Sequence, residues 1–126
     1  MHSSKRKKER KEELLREVKK HISEYISRRF PGYIIMLNEL VNSRYGMNAV
    51  DTLLETPSRL YAVILEYYEG DEESAKLALR YTFLRPLAAY LGNPLLEDVL
   101  LDIIAKGLDE EFKKTILSRI EKKQHI

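Results

Sequence analysis

Apolar residues recur every three or four positions through most of the chain, and proline or glycine stands where each run stops. From about Lys8 to Arg29, Leu14, Leu15, Val18, Ile22, Tyr25 and Ile26 form one stripe of a helix, with Glu12, Glu13, Arg16, Glu17, Lys19 and Lys20 on its wet side. Phe30-Pro31-Gly32 ends it. A second helix is predicted from about Tyr33 to Tyr45, with Ile34, Leu37, Leu40 and Val41 inward. Ile35 and Met36 widen that face, so this helix should be more buried than the first. Tyr33–Leu37 could also read as a strand, but no partner strand appears. Met47–Glu55 is expected to be a connection holding one short turn.

Thr56-Pro57 and Asn93-Pro94 each set a capping side chain before a proline suited to a first helical turn. A third helix is therefore predicted from Pro57 to about Tyr68, with Leu60, Val63, Ile64 and Tyr67 inside. Asp71 caps a fourth, about Glu72 to Leu91, apolar almost all round and hence central. Pro86 lies within it, so a kink is expected near Thr82–Arg85. The fifth, about Pro94 to Lys106, turns Leu95, Leu96, Val99, Leu100, Ile103 and Ile104 inward. A sixth, about Glu110 to Lys122, is capped by Asp109 and buries Phe112, Ile116, Leu117 and Ile120. Gly46, Gly70, Gly92 and Gly107 sit where left-handed C-terminal caps belong. The fold class that follows is all-α: a single irregular or orthogonal bundle of five to six helices over residues 9–126. Residues 1–8 are expected to be a flexible basic lead.

Composition narrows the chemistry. With 126 residues and 44% hydrophobic residues, the chain can build one real core. It has no cysteine, so disulfides, thiolate metal sites and cysteine nucleophiles are excluded. No apolar run approaches the roughly 20 residues needed to cross a bilayer. The charged start has no apolar signal core behind it, which points to a cytoplasmic protein without membrane contact. A charged fraction of 33% with a single glutamine suits a thermophilic source.

The formal charge of +2 hides a split: residues 1–45 carry 12 Lys/Arg against 6 Asp/Glu, and residues 46–126 carry 10 against 14. Lys5, Arg6, Lys7, Lys8, Arg10 and Lys11 concentrate the excess. With Arg16, Lys19 and Lys20 they are candidates for phosphate contacts to nucleic acid, although no aromatic residue is interleaved for base stacking. Helices opened by Asp71, Glu72 and Glu73, or bearing Glu97, Asp98 and Asp102, have the wrong sign to read a groove. Arg80 and Arg85 with Tyr67 and Tyr81 could bind a small anion across two helices; interhelical ion pairing is the simpler reading. Glu17, His21 and Glu24 share a helix face, but one His-x-x-Glu unit falls short of a carboxylate metal centre. No metal and no cofactor is expected, and no nucleophile or phosphate-cradling motif supports catalysis.

The segment Tyr45 to Leu91 carries Tyr45, Thr56-Pro57, Leu60, Leu65, Tyr67-Tyr68 and Gly70, a Pro-x-x-Leu helix ending in an aromatic-rich glycine corner. In these residues the chain resembles a small archaeal helical family, the Nitrosopumilus-type output domains. That resemblance implies a regulatory or interaction unit without catalysis, archaeal in origin. The expected function is a non-enzymatic interaction module whose partner is a protein or a second copy of itself. A homodimer could form through the apolar stripe of the first helix. A nucleic-acid-associated protein and an anionic-ligand binder are the alternatives.

Overall fold

A computed structural model of the chain describes residues 2–124, with side chains described for 6–123. Among the described residues there are seven helices: α1 His2–Arg29, α2 Pro31–Tyr45, α3 Ala49–Glu55, α4 Pro57–Tyr67, α5 over residues 72–90, α6 Leu96–Ala105 and α7 Asp109–Gln124. No strand occurs among the described residues. The all-α expectation stands, with seven helices rather than five to six. The additional one is α3, where a connection with one short turn was expected. Two asparagines start it: Asn48 Oδ1 accepts the Asp51 N–H at 2.8 Å, and Asn38 Oδ1, from α2, accepts the Ala49 N–H at 2.9 Å. Helix α1 also begins earlier than Lys8, and its backbone is helical from His2.

One continuous core joins buried side chains from all seven helices. Helix α5 is its centre and packs against α1, α4 and α6. Phe83 of α5 and Phe112 of α7 are the largest fully buried side chains. The α1 stripe is spent on this core, because Val18, Ile22 and Ile26 are fully buried within the chain. Leu15 and Tyr25 of the same stripe are left half-buried. Helix α2 is more buried along its length than α1, as expected, but not through the residues named for it: Ile35 is 62% and Leu40 37% exposed. Leu95, just before α6, and Val99 on it also point outward rather than into the core.

Pro86 shapes the middle of α5. A proline there lacks an N–H and would press its ring on the carbonyl of the preceding turn. The helix answers with a π-turn over Arg80–Leu84, closed by the Arg85 N–H donating to the Arg80 carbonyl. The wider turn gives the ring room, and the helix continues to Tyr90 instead of breaking.

The glycine ends form as the pattern predicts: Gly46, Gly70, Gly92 and Gly107 all have positive φ. At the end of α4 the left-handed stretch begins one residue early, with Glu69 at φ 57°.

Candidate functional site

Three helices leave a gap that no fourth helix closes among the described residues. Leu15 of α1, Leu54 of α3 and Ile116 and Leu117 of α7 form the apolar floor of a groove of about 430 Å³. Leu15, Leu54 and Leu117 are half-buried, while Ile116 belongs to the core beneath. The sequence marks Leu15 and Leu117 as inward positions, and they are; what lies over them is open. Half-buried leucines of this kind keep part of the driving force for burial in reserve, about 25 cal/mol per Å² of apolar surface still wet.

The rim is charged and balanced. Glu12, Arg16 and Lys19 stand on the α1 side, Asp51 and Glu55 on α3, and Lys113 on α7. Lys19 Nζ and Asp51 Oδ1 pair at 2.7 Å and tie α1 to α3 at one edge. Glu12, Arg16, Glu55 and Lys113 are the remaining rim charges. A wider depression of about 1050 Å³ follows α7 and the turn before it, from Gly107 to Lys122, and is walled by no second helix.

The predicted anion cluster is not assembled as expected. Arg80 and Arg85 both reach Glu97 of α6, at 3.7 Å and 3.4 Å, and Arg80 also pairs with Asp98 at 2.7 Å. On a regular α-helix two residues five apart point about 140° away from each other. The π-turn between them removes much of that divergence, which is how both guanidinium groups meet one carboxylate. The hydrogen bond to Glu97 raises the Arg85 pKa further above its already high value. Tyr81 packs under Arg85, its ring centroid 4.4 Å from the guanidinium carbon. Tyr67 belongs to a different cluster, edge-to-face with Tyr68 at 5.0 Å and Tyr33 at 6.4 Å. Arg44 and Glu66 pair beside it; that contact raises the Arg44 pKa and lowers that of Glu66.

The basic run lies on the first turns of α1, where every described side chain from 6 to 13 is exposed. Arg6, Lys7, Lys8, Arg10 and Lys11 are among them, and the Lys5 side chain lies outside the described residues. His21, considered with Glu17 and Glu24 for metal binding, stacks on Tyr90 at 4.9 Å. Among the described residues no three His, Asp or Glu side chains converge on a point. No helix there is long and apolar enough to cross a membrane. Sequence reasoning missed Leu54, Asp51, Glu55 and Lys113 as site residues. The signal available was the Asn48 cap, which places Leu54 on a helix instead of in a loop.

Comparison with protein-family models, curated proteins and solved structures finds no match to this chain.

Proposed function

We propose that the chain is a non-enzymatic interaction module that docks an amphipathic helix of a partner protein between α1, α3 and α7. The observation carrying this reading is the groove itself: an apolar floor of Leu15, Leu54, Ile116 and Leu117 under a rim with equal numbers of acids and bases. An amphipathic helix supplies leucine-like anchors at i, i+3, i+4 and i+7 for such a floor and side chains of both signs for such a rim. A compact anionic ligand fits less well, because Lys19 is already paired with Asp51 and the rim carries three acids against three bases. The Arg80 and Arg85 charges are likewise engaged by Glu97 and Asp98. The regulatory role implied by the Tyr45–Leu91 resemblance fits the same reading.

The test is fluorescence anisotropy with a synthetic peptide bearing leucines at those four spacings between glutamate and lysine flanks. Leu117→Lys, and separately Leu54→Lys, should weaken binding by about tenfold or more, since each removes an apolar anchor from the floor. Both positions are half-buried, so far-UV circular dichroism should stay that of the wild type. Unchanged affinity in both variants would remove the groove from the account.

A further inference from the structure

We infer that the partner helix carries an acidic stretch, which runs out of the groove along the exposed first turns of α1. This inference rests on the groove reading above. Helix α1 is continuous from the core outward, and residues 6–13 form an arm about 12 Å long with no buried side chain. Its cations are not spread evenly. Lys11 and Lys8 precede Leu15 by four and seven residues, so they share the face that floors the groove. At about 100° per residue, Lys7, Lys8 and Lys11 lie within about 80° of the Leu15 direction. Glu9 and Glu13 lie beyond about 120° from it, together with Arg6 and Arg10, where charges of both signs offset one another. Glu12 alone brings an acid to the groove face, and it already belongs to the rim.

One line along α1 is therefore apolar inside the groove and cationic beyond it. A helix seated on the floor and continuing toward the arm meets lysines, not leucines. Acidic residues there gain Coulomb attraction that weakens with salt. Duplex nucleic acid would use the lysines but leave the apolar floor uncovered. A lipid surface would need apolar side chains on the arm, and residues 6–13 include none.

The experiment compares two synthetic peptides that share the leucine-patterned segment, one followed by a glutamate run and the other by a lysine run. Anisotropy is read at low and physiological salt. The glutamate-tailed peptide should bind about tenfold more tightly at low salt, and Lys8→Glu with Lys11→Glu should reverse the preference. Equal binding of both peptides, unchanged in that double variant, would overturn the inference and leave the groove reading intact. Binding of neither peptide would overturn both. A duplex DNA that binds through Lys8 and Lys11 and is not displaced by the glutamate-tailed peptide would also overturn it, making the arm a phosphate contact. Both lysines are exposed, so the double variant should keep the wild-type fold.

Discussion

Asp109, the first residue of α7, holds the start of α4: its carboxylate accepts the Ser58 backbone N–H at 2.9 Å and the Ser58 hydroxyl at 2.8 Å. The first N–H groups of any helix lack partners within it, and a carboxylate there satisfies one and complements the dipole. Local sequence assigns this work otherwise, Thr56 to α4 and Asp109 to its own helix. Thr56 makes no cap hydrogen bond, and its buried hydroxyl has no partner among the described residues. The cap is instead a tertiary contact, so the α4–α7 packing and the integrity of the α4 first turn stand or fall together.

Asp109→Ala should destabilise the fold by about 1–2 kcal/mol, the cost of an N-cap together with an unpaired half-buried donor. Ser58→Ala should cost less, since the backbone bond to Asp109 survives it. Urea unfolding of both single variants and the double variant measures the coupling. Strictly additive effects would mean that the two residues do not act as a pair.

Glu69 occupies a left-handed conformation that glycine adopts at the other helix ends. The Gly70 N–H reaches back to the Leu65 carbonyl across it, as in a Schellman motif. A residue with a Cβ gives up about 1 kcal/mol in that region. Glu69→Gly should therefore raise the urea midpoint by about that equivalent. Gly92→Ala should lower it, and for backbone reasons alone, because a Cβ at Gly92 meets nothing within 4 Å. A destabilised Glu69→Gly protein would show that the Glu69 side chain contributes more than its backbone costs.

Burial, with the adjacent Tyr68 second, pushes the Tyr33 hydroxyl well above the ordinary tyrosine range. Burial raises Tyr61 and Tyr90 as well. A folded-state pKa above the unfolded one means that the native state holds the proton longer. The contribution is thus complete below about pH 10 and is lost as pH rises past it. Tyr33→Phe should flatten the loss of stability between neutral pH and about pH 11. At pH 7 it should cost little, since among the described residues no well-formed hydrogen bond holds the buried Tyr33 hydroxyl. An alkaline slope identical to that of the wild type would place the titration elsewhere.

What the sequence reveals of this fold is what short-range physics controls. Left-handed glycines, the Asp71 cap with Ser74 and the apolar stripe of α1 are each decided within a few residues, and each is present. Asn93 likewise accepts the Leu95 N–H at 3.0 Å. Helix α3 escaped because half of its start signal, Asn38, arrives from α2. Leu95 and Val99 were misplaced because a wide apolar face does not say which edge a neighbour covers. The groove was hidden for a related reason: Leu15 and Leu117 read as core positions, and only the arrangement of α1, α3 and α7 leaves them partly uncovered.

The groove claim is tested most directly by an amide NMR titration of the ¹⁵N-labelled chain with the leucine-patterned peptide. Saturable shifts should gather at Leu15, Leu54 and Leu117, with Lys19 and Asp51 perturbed at the edge. The amides around Leu77 and Tyr81, exposed apolar residues outside the groove, should stay still. Shifts centred on those two residues, or none at saturating peptide, would contradict the account.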